Sequence, residues 1–439
     1  MNLIMLLHIQ EEQKTMQQQG AAEKRVARAL SLAVQQPTLA LGPEAPFLQL
    51  HTILRELFPR VFSLFQVQIV DRRALLLHLP GAGMSQPLLF LSHLDVAPIR
   101  SPEDWELPPF SGEIRDGFVY GRGTADMKGH LIALLTAAES LLEGGVRPRA
   151  DLYFAFSCDE EVRGGSMQRI CRLLMASNVK PAFVLDEGGS VTTLQALTQK
   201  PTALVGVGEK GRMCFTLTAE GEGGVEALLH AAERLLRMRF SPRICLATEQ
   251  MLSGLSGELT GYGRFCAAHP RLMRQPLLRK LDSTHYGRAL TRTQLMISAM
   301  GGDVLQGDDA SITFQASILP GDSADGLLRR VERVISDTRI LVTVNQMDEA
   351  SVVSPIQGTA WEALTTAIHV HFPGMPIAPY LLTGASDARR MEPICPYIYR
   401  FSPFVLPPEE LAKMHHPNER ISIENLLRGT AFFRQMLMA

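Results

Sequence analysis

The chain has 439 residues, 46% of them hydrophobic and 20% charged, with a formal net charge of -2. Such a length admits two domains and a large core, and the near-neutral balance leaves no electrostatic footprint for nucleic acid or an anionic membrane. No stretch of about 18 apolar residues exists that could span a bilayer.

The opening run Leu3-Ile4-Met5-Leu6-Leu7 reads as too short for a signal-peptide core, lacks a basic flank and is followed by Gln10, Glu11 and Glu12. The six cysteines (Cys158, Cys171, Cys214, Cys245, Cys266, Cys395) include no C-x-x-C pair. That pattern fits free thiols in a reducing compartment better than a disulfide frame or a cysteine-zinc site. The expected location is cytoplasmic.

Residues near 20–60 read as helical, with Leu30, Leu32, Leu50, Ile53, Leu54 and Leu57 at helix-like spacing. From about 65 to 207 strands alternate with helices, the α/β signature. Leu88-Leu89-Phe90-Leu91 runs into Ser92-His93-Leu94-Asp95. Leu152–Phe156 runs into Cys158-Asp159-Glu160-Glu161, and Phe183-Val184-Leu185 into Asp186-Glu187-Gly188-Gly189. Short apolar runs of this kind are strands buried on both faces of a largely parallel sheet, where ligands bind at the carboxyl ends. A sheet that delivers a histidine and several carboxylates to one edge is building a cation site. A helix after Gly129 carries Leu131, Ile132, Leu134, Leu135, Leu141 and Leu142 and stops at Gly144-Gly145.

Near 210 the pattern changes to strands and helices of an α+β module. Strands are expected over Phe215–Ala219, Thr293–Met300, Ile312–Leu319 and Ile340–Val344, with helices over Val225–Leu236 and Gly326–Ile335. Residues 245–290 read as irregular and partly helical. The expected division is therefore a catalytic domain over 1–208 and 349–439, interrupted by a smaller lid or dimerisation domain over 209–348. A final amphipathic helix runs through Leu426, Ala431, Phe432 and Met436.

Two further segments belong to the candidate site. Gly121-Arg122-Gly123-Thr124-Ala125-Asp126-Met127-Lys128-Gly129 is a glycine-punctuated loop, but it lacks the G-x-x-x-x-G-K-[ST] order of a phosphate loop. Met414-His415-His416-Pro417-Asn418-Glu419 adds imidazoles. Histidines and carboxylates without cysteine suit zinc or a similar first-row ion. An excess of anionic donors points to two ions sharing a bridging carboxylate, with Glu160 and Glu161 dividing the roles of base and ligand.

The order S-H-L-D-V, W-x-x-P-P-F-S-G-x-x-x-D-G-x-x-Y-G-R-G-x-x-D-M-K-G, D-E-E, L-D-E-G-G, E-K-G and H-x-x-N-E resembles the dinuclear zinc hydrolases that include aminoacylase-1, glutamate carboxypeptidase and carboxypeptidase S. The stretch Trp105–Gly129 and Tyr399-Arg400-Phe401-Ser402-Pro403 look closest to the carboxypeptidase S-like branch. The resemblance implies two Zn2+ per chain, with Co2+ or Mn2+ as substitutes, bound by His93, Asp126, Glu161, Asp186 and His415. Glu187 is the alternative to Asp186. Asp126 would bridge the ions, through a non-proline cis peptide to Met127, and Asp95 would orient His93. Glu160 would be the general base. Arg389, in Thr383–Arg389, would contact a substrate anion, and the insert would form a homodimer.

The insert departs from the family pattern. Gly223-Gly224-Val225-Glu226-Ala227 stands where a lid histidine is usual, and Asp303-Val304-Leu305-Gln306 where N-V-I-P is usual; no arginine follows before Gly321. Losing an oxyanion donor costs about 10²–10³ in rate. The expected function is a metal-dependent hydrolase of a peptide-like or N-acyl amide bond in a small, non-standard substrate. Alternatives are a catalytically silent binding relative, or an amide-forming enzyme using the same site.

Overall fold

The computed structural model of the protein describes residues 20–439, apart from 195, 196, 199 and 304–307. The Leu3–Leu7 run and the Val304-Leu305-Gln306 segment lie outside the described residues. No described helix is long and apolar enough to cross a membrane.

A mixed nine-stranded sheet with a parallel centre forms the larger layer. Its central strand, Ser85–His93, pairs in parallel with Ala150–Ser157 on one side and Phe183–Asp186 on the other. Leu89, Phe90, Leu91, Phe154, Phe156, Val184 and Leu185 are fully buried, as strands covered on both faces require. The helix Gly129–Glu143 packs on this sheet beside the closing helix Ile423–Met436. Because the three strands run the same way, His93, the turn after Ser157 and the residues after Asp186 emerge at one edge. That shared direction places the site.

A second, four-stranded antiparallel sheet is built from Gly211–Ala219, Gln294–Asp303, Asp308–Ile318 and Ile340–Asp348. The helices Gly224–Leu236 and Ala324–Ile335 cover one face of it, around a separate core of Met213, Phe215, Leu217, Ile312, Phe314 and Val331. This matches the α/β domain with an α+β insert read from the sequence.

The segment 245–290, expected to be irregular and partly helical, is more helical than that reading. It forms four short helices, Leu246–Leu255, Gly261–Ala268, Arg274–Asp282 and His285–Thr291. Met251, Leu252, Leu255, Leu281 and Leu290 join the core of the larger layer, not that of the insert. The first helix lies against the edge strand Ile377–Leu382, where Gly254 sits within close reach of the Ile377 carbonyl. Local pattern could not assign it, because the apolar surface that it covers comes from residues more than 100 positions later.

Candidate active site

At the carboxyl edge of the sheet, strand ends and loops enclose a cleft of about 830 Å³. His93 closes its strand. Its Nε2 lies 3.0 Å from Asp126 Oδ1 and 3.8 Å from Glu187 Oε1. His415 Nε2 lies 2.7 Å from the other Asp126 oxygen, Oδ2, and 3.3 Å from Glu161 Oε1. Asp126 therefore stands between two imidazoles, one oxygen to each. That is the arrangement a bridging carboxylate needs.

The backbone around Asp126 is held by a carboxylate from far along the chain. Glu419 accepts hydrogen bonds from the amides of Gly123 (3.0 Å) and Ala125 (2.9 Å), and pairs with Arg122 at 2.5 Å. Arg122 also lies over the Trp105 ring, which packs against this loop. The Asp126–Met127 peptide is cis. A three-stranded sheet of Arg420–Ser422, Phe118–Tyr120 and Ile114–Arg115 joins this loop to the segment bearing His415.

Asp95 does more than orient one ring. The His93 Nδ1 contacts the Asp95 backbone carbonyl at 2.9 Å and its carboxylate at 3.6 Å. The same carboxylate accepts from the amides of Glu160 (3.2 Å) and Glu161 (2.9 Å). One buried side chain thus registers the histidine against the turn that carries both glutamates.

Asp186 and Glu187 separate cleanly. The Asp186 carboxylate accepts from the amides of Glu187 and Ala388, each at 2.9 Å, and does not line the cleft. Glu187 lines the cleft and faces His93. The side chain following a strand end alternates in direction, so the first of two acidic residues is turned into the protein and the second into the site. The donor set that converges is His93, Asp126, Glu161, Glu187 and His415, with Asp186 behind it as a backbone clamp.

Arg389 was expected at a substrate anion. Its guanidinium donates instead to the backbone carbonyls of Lys210 (3.4 Å) and Glu349, at the junction of the two layers. Lys210 makes a matching junction contact, donating to Ala289 and Arg292 carbonyls. In the insert, His230, His269 and His285 are exposed and do not line the cleft. Three arginines that the motifs did not mark, Arg100, Arg163 and Arg212, do line it; Arg100 is exposed at the rim. Nothing in their local sequence singles them out.

The electrostatics match a site built for cations. Burial opposes protonation of His93, but Asp126 and Asp95 outweigh it and raise the ring well above its ordinary value. Hydrogen bonding to Asp126 and Glu161 brings His415 up to about 10. Burial, reinforced by Asp387, Asp126 and Glu161, holds Glu160 well above the usual carboxylate range, and burial next to Asp126 does the same to Glu187. Donor atoms of His93, Asp126 and Glu161 lie within 4.8 Å of one another. Imidazole and carboxylate donors, crowded and short of countercharge, fit divalent cations.

The sequence matches the model of peptidase family M20/M25/M40 over residues 89–439. It is 33% identical to an N-fatty-acyl-amino acid synthase/hydrolase of Xenopus tropicalis, over 94% of this chain and 85% of that one. It is 28% identical to a probable carboxypeptidase S-like protein of Dictyostelium discoideum, over 94% and 84%. In fold it resembles an M20 family metallo-carboxypeptidase from Sulfolobus solfataricus, with a TM-score of 0.71 at 15% identity over 94% of this chain and 98% of that one. Human carnosine dipeptidase 1 superposes with a TM-score of 0.70 at 15% identity over 97% and 98%.

Proposed function

Because the chain belongs to peptidase family M20/M25/M40, we propose that it is a di-zinc hydrolase that cleaves the amide bond of N-acyl amino acids or short peptides. The observation that carries this reading is the position of Asp126 between His93 and His415, beside a glutamate, Glu160, that is left over from the ligand set. The names of the relatives, one an N-fatty-acyl-amino acid synthase/hydrolase and one a carboxypeptidase S-like protein, support the substrate class.

His93, Asp126 and Glu187 would hold one ion, and His415, Asp126 and Glu161 the other. When bound, such a pair supplies Lewis acidity to a carbonyl and makes a water acidic enough to ionise near neutral pH. Glu160 takes the proton of the attacking water and returns it to the departing amine nitrogen. Asp95 keeps the Glu160–Glu161 turn in register with His93 throughout. The same steps in reverse would join an acid and an amine, so synthesis is the second reading. The name of the Xenopus relative favours testing it.

The test is elemental analysis of protein purified without chelator, followed by a screen of N-acyl amino acids and dipeptides. Close to two zinc ions per chain with turnover of an N-acyl amino acid is the expected result. Metal near zero, with no uptake on titration, overturns the reading.

A further inference from the structure

Arg212 opens the first strand of the insert, Gly211–Ala219, just after the junction residue Lys210. Along this strand burial alternates. Met213, Phe215 and Leu217 point into the core of the insert, so Arg212 points the other way. That direction takes it into the cleft, where it lines the wall with Glu160 and Arg163.

Most arginines around the site are engaged. Arg122 pairs with Glu419, Arg400 with Glu209 and Arg390 with Asp348, and Arg389 donates to backbone carbonyls. Arg212 makes no ion pair and no side-chain hydrogen bond among the described residues, and its Nε is buried without a partner. The carboxylate directly across the sheet from it, Asp348, already accepts from Arg390 at 3.0 Å and from Gln346 at 2.7 Å. Arg163 offers no relief, since it is a second cation whose guanidinium, among the described residues, meets only Gln346 at 3.5 Å. Burial, with Arg163 beside it, pushes the Arg212 guanidinium down to about 10.

A partly buried guanidinium beside another cation, unpaired and with its cross-strand carboxylate already taken, is a ready receiver for an anion in the cleft. We propose that Arg212 receives the carboxylate of the substrate, restricting the enzyme to amides of amino acids whose carboxylate is free. The assignment rests on the hydrolase reading for what the cleft does, and deepens it by fixing substrate polarity. Arginine suits the task because its planar fork meets both carboxylate oxygens at once.

The experiment separates the two ideas by measuring binding and turnover independently. A panel of ketomethylene isosteres of N-acyl amino acids, each as free acid and as primary carboxamide, is titrated calorimetrically into zinc-loaded wild type, Arg212→Met and Arg212→Lys. Acids should bind wild type roughly 10²-fold better than their carboxamides, as a charge-assisted pair replaces a neutral contact. In Arg212→Met that ratio should collapse toward one, and in Arg212→Lys it should recover in part. Thermal melts of each variant guard against misfolding, and the lysine variant tests the charge if the methionine variant does not fold. An acid-over-amide ratio that survives Arg212→Met, or that no acid shows in wild type, overturns the assignment. Turnover of the matching N-acyl amino acids by wild type tests hydrolysis separately, so a silent enzyme that still binds acids through Arg212 sinks only the hydrolase reading.

Discussion

Asp186 and Glu187 are adjacent carboxylates with opposite fates, and exchanging each for its amide should separate metal binding from stability. In Glu187→Gln an anionic donor facing His93 becomes neutral. The loss of orienting partners behind a metal ligand already costs about 10–100-fold in affinity, so loss of a donor itself should cost at least that at one of the two ions. In Asp186→Asn no cleft-lining group changes. Its carboxylate instead holds two backbone amides at 2.9 Å, those of Glu187 and Ala388. An asparagine keeps one of these contacts through its oxygen and turns an NH2 toward the other. Leaving one buried amide unsatisfied costs about 1–3 kcal/mol. Taking about 2 kcal/mol, and about 2 °C per kcal/mol for a domain of this size, the thermal midpoint should fall by about 4 °C. The assays are zinc titration against a competing chelator and melts of the chelator-stripped protein at about pH 8, where both carboxylates of an exposed reference would be ionised. Glu187→Gln should lose affinity with little change in the melt, and Asp186→Asn the reverse. Zinc loss confined to Asp186→Asn would refute the reasoning and return the ligand role to Asp186.

Glu160→Gln should lower turnover by about 10²–10⁴ while two metals stay bound, since it removes proton transfer and no cleft-facing ligand; activity retained within tenfold would contradict the role. Glu419→Ala leaves the buried Arg122 without its carboxylate and three loop amides without their acceptor. Breaking a buried pair on one side costs about 3–5 kcal/mol, so denaturant midpoints should shift clearly and zinc binding weaken with them. Metal uptake should release protons: without a cation His415 is held up to about 10 and His93 above its ordinary value, yet only neutral rings bind metal. Apparent zinc affinity should therefore rise with pH through the neutral range, and calorimetry in buffers of different ionisation enthalpy should detect the protons. Uptake without proton release would show that the rings are already neutral.

How much was legible in the sequence depended on the range of the signal. The runs Leu88–Leu91, Leu152–Phe156 and Phe183–Leu185 read as strands because burial on both faces leaves a continuous apolar stretch. The helix after Gly129 and the strands and helices of the insert were likewise marked by local periodicity. The chemical types of the site followed too, since D-E-E, L-D-E-G-G and H-x-x-N-E place carboxylates and imidazoles directly after such elements. What local pattern missed was set by distant neighbours. The helix Leu246–Leu255 looks weak alone and is sustained by the edge strand Ile377–Leu382. Arg389 sits in a motif near the cleft, yet backbone carbonyls at a domain junction claim its guanidinium.

The sequence by itself determined the ingredients: a sheet with a parallel centre, an inserted module, and an acidic, imidazole-rich edge with a spare glutamate. Only the tertiary structure decided which of Asp186 and Glu187 faces His93, that Glu419 holds the Asp126 loop, and that Arg212 lies in the cleft without a partner. The reason is physical. Element type follows from near-neighbour periodicity, whereas the direction of a side chain and its countercharge depend on chain segments tens to hundreds of residues away.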